Sequence, residues 1–389
     1  MAPNLPRDTQ NIITASDHID NFNLLLNKYF KISAHKDIDA PKLKDMNKSK
    51  LVFDKKSWDE NVAIKYYEML ESIANQKVTI NYYQPKWRAI IGLGHPTVFE
   101  TSLTLHHIYG FPYIPGQALK GIVRNYVIKE FHNSDEDKAL KEARFYKLFG
   151  NQNQAGKVIF HDSYPITLPQ IEFDIINTHY GDYYSQGKPP TDDQKLTPNS
   201  FLNIVRQGKY HNQEIESKFM IAFSQLEDLS QVYQEYGIDS LEQIITACLE
   251  NQGMGAKTSV GYGYFEKCDI DADFYHKCKK RQKEKELQTE KELPKYKQMI
   301  SKISKSFEPA LAFIDSSQAN KEEKKEVIQA LIRHFCQPEL WDSWKLNGQV
   351  SNYWTMVHNF YEKQAEKNIE LKSILKTYAI SKKQKKKLK

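Results

Sequence analysis

The sequence predicts an α+β fold, on three observations. Short apolar runs bounded by Gly, Pro, Asn and Asp, among them "RAIIGLG", "KVIFHDS", "IEFDIIN" and "KFMIAFS", have the composition of strands. Gln117–Phe131 and Leu241–Leu249 instead repeat apolar residues at helical spacing. The elements follow in the order strand, helix, strands, strand, helix, strand, which is that of a ferredoxin-like antiparallel sheet with inserted loops.

Taken in chain order, "DHIDNFNLLLNKYF" (Asp17 to Phe30) places Ile19, Phe22, Leu25, Leu26 and Tyr29 on one helical face. In "SWDE", Ser57 and Glu60 have the spacing of a capping box, opening a helix whose apolar face is Ala63, Tyr66, Tyr67 and Leu70. Strands are expected from about residue 86. Leu119, Ile122, Val123, Tyr126 and Val127 turn inward on the first long helix, as do Ile244, Ile245 and Cys248 on the second. After Asp273 a mixed-charge helical stretch broken by Pro294 leads to the amphipathic "KKEVIQALIRHF" and "VSNYWTMVHNFYEKQ", a C-terminal helical region. "SKKQKKKLK" (Ser381 to Lys389) carries six lysines in nine residues and reads as a disordered tail. The expected division is 1–80, a helical and partly flexible region; 81–272, the ferredoxin-like domain; 273–380, the helical extension; and 381–389, the tail.

Composition excludes some classes. A chain of 389 residues, 40% hydrophobic, buries an ordinary core, and no run of about 18 apolar residues offers a membrane span. "MAPNLPRDTQNII" lacks the order of a secretory signal, so a cytoplasmic protein is expected. Cys248, Cys268, Cys278 and Cys336 show no C-x-x-C spacing, which argues for reduced thiols rather than a zinc site. The net charge of +6 is modest, and 23 tyrosines serve packing as readily as base stacking.

Two segments carry chemistry. In "YGFPYIPGQALKGIVRNYV", Lys120 and Arg124 stand in the opening turns of a helix whose N-terminus is already positive, which implies an anion in front of them. No carboxylate stands at helical spacing from either. "NQGMGAKTSVGYGYFEKC" is glycine-rich at Gly253, Gly255, Gly261 and Gly263. Its Lys257 and Thr258 are not a nucleotide-binding P-loop, because Ala256 replaces the required Gly and the loop leaves a helix rather than entering one. A tight structural turn and a backbone surface for nucleic acid both remain open.

Together "GLGHPTVFETSLTLHHIYGFPYIPGQALKGIVR", "HYGDYYSQGKPPTDDQ" and "GMGAKTSVGYGYF" resemble the RAMP superfamily of CRISPR-associated proteins, in particular the branch found in the Cmr (type III-B) RNA-targeting effector. The resemblance spans roughly residues 80–270. It implies an RRM-like fold in a non-catalytic subunit of an effector ribonucleoprotein, holding the 3′ portion of a guide RNA at the end of a stack of related subunits. Guide RNA and neighbouring RAMP subunits are the implied partners, target RNA is met indirectly, and no cofactor is implied. RNA contacts are then expected at Lys120, Arg124, Gly253, Gly255, Lys257, Thr258, Gly261 and Tyr262, with Gly92, Gly94 and His95 from the preceding motif. Branched residues at Gly255 and Gly261 are expected to weaken RNA retention while folding survives.

Two alternatives stand beside this. Relatives include metal-independent nucleases that use histidine or tyrosine, and His95, His106 and His107 lie in the motif region, but no base, acid and phosphate stabiliser occur at linked positions. The other is a capping subunit acting through protein surfaces alone. Asp162, at a strand end before a turn, has no acidic neighbour and is assigned to hydrogen bonding of the turn rather than to a metal.

Overall fold

The computed structural model describes residues 19–29, 53, 58–73, 76–97, 99–178, 181–189, 191, 197–210, 212–303, 308–315, 320, 322–324, 326–327 and 330. They fall in two units, Met1–Gln282 and Lys283–Lys389. The first unit begins with helices α1 (Phe22–Asn27) and α2 (Glu60–Glu71), strands β1 (Lys77–Pro85) and β2 (Arg88–Ala89), and helices α3 (Gly116–Phe131), α4 (Glu136–Lys141) and α5 (Ala143–Phe149). Strands β3 (Val158–Phe160), β4 (Tyr164–Pro165) and β5 (Gln170–Thr178) precede α6 (Gly181–Gln186), and β6 (Thr197–Val205), β7 (Gln207–Tyr210), β8 (Gln213–Glu216) and β9 (Phe219–Gln225) follow it. Helices α7 (Ser230–Glu235) and α8 (Leu241–Asn251), strand β10 (Phe265–Cys268) and helix α9 (Ala272–Glu292), whose residues from Lys283 onward belong to the second unit, complete the series. The second unit adds α10 (Lys295–Lys302) and α11 (Glu308–Asp315), where Tyr296 stacks on Phe313.

The main sheet has the order β10-β1-β9-β3, every neighbour antiparallel, with β4 continuing along β9 beyond β3. With α3 between β1 and β3 and α8 between β9 and β10, this is the ferredoxin-like arrangement expected. The insertions form a second sheet, β2-β6-β5, and the hairpin β7-β8.

Strand β9 is buried along its whole length and divides its side chains by the two-residue period. Phe219, Ile221 and Phe223 enter the large core with Leu119, Val123 and Val127 of α3 and Ile244, Ile245 and Cys248 of α8. Met220 and Ala222 point the other way, into a core made with Ala63, Ile64, Tyr67 and Leu70 of α2 and Phe274 and Cys278 of α9. Each such large side chain stabilises the fold by roughly 1.5–3 kcal/mol. The sheet is therefore covered on both faces, and its second face is not the open aromatic platform of an RRM-like RNA binder.

Several local readings are corrected. Strand β1 starts at Lys77, before the expected onset, because only Val78, Ile80 and Tyr82 mark its inner face amid polar neighbours. "RAIIGLG" supplies only the two residues of β2, since Gly92 turns the chain at φ +78°. Helix α2 is capped by the Asp59 carboxylate, which accepts from Asn61 N–H, and Ser57 lies outside the described residues. Cys336, "VSNYWTMVHNFYEKQ" and the lysine tail also lie outside them. Cys248, Cys268 and Cys278 are free thiols, and no helix among the described residues is long and apolar enough to cross a membrane.

Three histidines are held neutral by burial. His132 shares a 3.2 Å hydrogen bond with the Tyr236 hydroxyl, His161 one of 2.5 Å with Ser224, and His106 Nδ1 accepts from the backbone N–H groups of Ile108 and Tyr109, both at 3.2 Å. Burial lowers each pKa below the ordinary value of 6.5. A depressed folded-state pKa gives stability that is complete above the unfolded value and is lost as pH falls. Melting temperature should therefore drop between pH 6.5 and 5, and His106→Gln should reduce that drop. Identical pH profiles for the two proteins would refute the role given to His106.

Candidate functional site

The glycine loop after α8 is built against the strand residues before Gly92. Ala256 N–H donates to the Ile90 carbonyl at 2.8 Å, Gly263 N–H to the Arg88 carbonyl at 2.7 Å, and Met254 N–H to the Gly263 carbonyl at 2.7 Å. Gly253, Gly255, Gly261 and Gly263 all have positive φ, and Lys257 is left-handed at φ 61°. A Cβ on Gly255 would lie 2.2 Å from the Ile90 carbonyl oxygen. One on Gly261 would meet nothing nearer than the Trp87 ring at 4.0 Å. The first glycine is thus required by packing and the second only by backbone conformation. Thr258 opens a single 3₁₀ turn, its methyl group beside Gly253, and the Lys257 ammonium lies 5.6 Å from the centre of the Phe201 ring.

A polar network ties this loop to the inserted sheet. Tyr262 is buried, and its hydroxyl donates to Asp174 Oδ2 at 2.7 Å, the oxygen that also accepts from Arg88 Nη1 at 2.9 Å. Arg88 reaches Glu172 through Nη2 at 3.0 Å and Asn203 Oδ1 at 3.3 Å. Burial, and then the bond to Asp174, push the Tyr262 phenol up to about 12, so it stays a neutral donor. Trp87, half exposed, tilts against Tyr262 with ring centres 5.0 Å apart. Sequence reasoning passed over Trp87, Arg88, Asp174 and Asn203. The signal available was Glu172 and Asp174 at period two on "IEFDIIN", two acids on one strand face that call for a cation.

Gly92, Gly94 and His95 form an adjoining turn. His95 N–H donates to the Gly92 carbonyl at 3.1 Å, and a Cβ on Gly92 would lie 2.0 Å from Thr104 Oγ1. Gly94 and His95 are exposed.

Lys120 and Arg124 belong to a separate place, and no hydrogen bond or ion pair joins them to the glycine loop among the described residues. The anion before α3 is the protein's own. Asp162 Oδ1 accepts from Gly116 N–H at 2.7 Å and meets the N-terminal charge of the helix, because Pro115 has no capping side chain. Asp162 is thus the hydrogen-bonding residue expected, although its partner is the helix itself. Arg124 departs from expectation: its Nη2 pairs with Glu136 Oε1 at 2.6 Å, and its guanidinium lies 5.3 Å from the centre of the Phe145 ring. The carboxylate comes from α4, twelve residues on, outside any helical spacing. Lys120 is half-buried, with no acidic partner among the described residues. Gly121 beside it is exposed, and a Cβ there would meet nothing within 4 Å, although glycine inside a helix costs about 1 kcal/mol relative to alanine.

The model of the RAMP superfamily matches residues 88–266, which hold both places. A CRISPR system Cmr subunit Cmr6 of Saccharolobus solfataricus is 30% identical over 252 residues, covering 59% of this chain and 78% of its own. The chain is a Cmr6-like member of the RAMP superfamily. The corresponding Cmr6 of Pyrococcus furiosus is 28% identical over 263 residues, 51% of this chain and 71% of that one. Similar solved structures include the type III-B Cmr-beta complex bound to cognate target RNA, at 20% identity and a TM-score of 0.44 over 67% of this chain and 84% of that one. The crystal structure of Cmr6 from Pyrococcus furiosus gives 26% identity and a TM-score of 0.33 over 51% of this chain and all of that one.

In this RAMP protein the three histidines of the motif region are dispersed in role. His106 sits against Tyr109, Phe111, Tyr113 and Tyr164 and uses Nδ1 to hold its own turn, while His95 and His107 are exposed. Among the described residues no group of three or more His, Cys, Asp or Glu is placed to hold a metal ion.

Two measurements follow from the loop and the helix start. Gly255→Ala should lower stability by about 2 kcal/mol or more, because the Ile90 carbonyl must move. Gly261→Ala should cost about 1–2 kcal/mol, the price of positive φ alone. Equal losses in chemical denaturation would contradict the packing argument. Asp162→Ala should cost about 1 kcal/mol and Asp162→Asn less, since an amide oxygen still caps the helix. An Asn variant as unstable as the Ala variant would show that charge rather than capping is at stake.

Proposed function

We propose that this chain is a non-catalytic, RNA-binding subunit of a type III-B Cmr effector ribonucleoprotein, with target cleavage carried out by other subunits. It holds the 3′ portion of the guide RNA at the end of the subunit stack, and the work falls to residues 81–272. The observation that carries the reading is membership of the Cmr6-like RAMPs, supported by sequence identity over most of a relative's length.

Lys120 supports it as a cation with no acidic partner among the described residues, on a helix whose N-terminal charge Asp162 already meets. Lys257, Thr258 and exposed Gly261 offer backbone and a cation along the glycine loop, with Gly94 and His95 on the adjoining turn. Gly92, Gly253 and Gly255 serve by shaping those turns, Tyr262 by anchoring the loop to Asp174, and Arg124 by fastening α4 to α3. Backbone and phosphate contacts fix register without reading bases, as a subunit that accepts any guide requires.

Crosslinking in a reconstituted complex tests the assignment: guide RNA should attach near Lys120 and Lys257, and its absence from this chain would favour capping by protein surfaces alone. For the purified chain, Lys120→Ala should lower the slope of log K against log salt by about 0.7, the loss of one phosphate contact on single-stranded RNA. Arg124→Ala should leave that slope unchanged and lower the melting temperature. A slope change for Arg124 with Lys120 silent would reverse the two roles.

A further inference from the structure

Trp87 stands at the bend between β1 and β2, and its neighbours fix it without covering it. Lys86 N–H donates to the Tyr264 carbonyl and the Trp87 carbonyl accepts from Arg206 N–H, both at 2.8 Å, so the backbone is held on either side of the indole. Tyr262 packs against the ring, and the Arg88 guanidinium lies 5.4 Å from its centre. Both residues bond to Asp174, so the network that anchors the glycine loop also orients the indole. Half of Trp87 nevertheless stays in solvent, whereas Phe201 and Tyr262, the other rings of this corner, are buried. Burying an indole is strongly favourable, and a fold that holds one rigidly yet leaves it wet forgoes that gain. Gly261 helps to keep the ring open: a Cβ there would come within 4.0 Å of Cε3 and Cζ3 of the indole, and a larger side chain would cover part of it.

We propose that Trp87 is a stacking platform for one unpaired base of the bound RNA. Every base has a π-face, so an indole can hold a base without reading it, which suits a subunit that accepts any guide. Charge favours this occupant over an apolar protein segment. Exposed Lys86 precedes the indole, Arg88 flanks it, and the neighbouring carboxylates are engaged, Glu172 and Asp174 with Arg88 and Glu266 with Arg206. The proposal rests on the RNA-binding reading above and deepens it, adding a base contact to contacts made with backbone and phosphate.

Two probes test it on the full chain: single-stranded RNA of mixed sequence, and a ribose–phosphate strand of equal length without bases. Trp87→Ala should weaken binding of the RNA by roughly 5- to 150-fold, the loss of one stacked base, and leave the slope of log K against log salt unchanged, because no phosphate contact is removed. Its affinity for the abasic strand should equal that of the unaltered chain. Trp87→Phe should recover most of the RNA affinity and remove the quenching of tryptophan fluorescence that RNA causes in the unaltered chain, a readout that does not depend on how well the alanine variant folds. An equal loss on both strands, or RNA affinity unchanged in Trp87→Ala, would overturn the proposal. If the unaltered chain binds the two strands equally, the RNA reading stands and the indole is misassigned; if it binds neither, the RNA reading fails as well. Normal RNA affinity with lost incorporation into the Cmr complex would also overturn the proposal, by giving Trp87 to a neighbouring subunit.

Discussion

The two-sided burial of β9 governs the architecture of this protein. A strand whose odd and even side chains both enter cores must have layers on each face of its sheet, here α3 and α8 on one side and α2 with the start of α9 on the other. Among the described residues, both faces of this sheet are packed against helices. At the periphery the sheet carries the turn at Gly92, the loop after α8 and the outer face of α3, the places to which the proposed RNA contacts are assigned.

The periphery is fastened in two different ways. Around the glycine loop, backbone hydrogen bonds from Ala256 and Gly263 set position, and the shared oxygen of Asp174 joins Tyr262 of the loop to Arg88 of β2. A half-buried arginine with two acidic partners and an amide holds its geometry better than an exposed pair, because several contacts constrain one guanidinium. At α3 the fastening is a single carboxylate at the helix start and a salt bridge further along. The loop is held by main-chain hydrogen bonds as well as by side chains. The helix presents mainly side chains.

The sequence revealed elements whose pattern is local. The alternating strands, the apolar faces of α3 and α8 and the glycine spacing of the loop each follow from the residues of one segment, and the ferredoxin-like order follows from their succession. Relations between segments were hidden. That Glu136 belongs to Arg124, or Asp174 to both Arg88 and Tyr262, depends on folds of the chain that bring distant positions together, twelve residues apart in one case and more than eighty in the others. The carboxylate before α3 was legible as a turn residue, whereas its seat on Gly116 N–H required the packing of β3 beneath that helix.

Strand β5 carries a consequence of its own. Nine residues long, it pairs with β6 on one side, and among the described residues no strand covers its other side. Charged residues commonly guard such a border, and β5 has Glu172 and Asp174, but Arg88 claims both, while Ile175 and Ile176 beyond them are exposed. The same ion pairs that stiffen the loop therefore leave a strand border poorly defended against self-association.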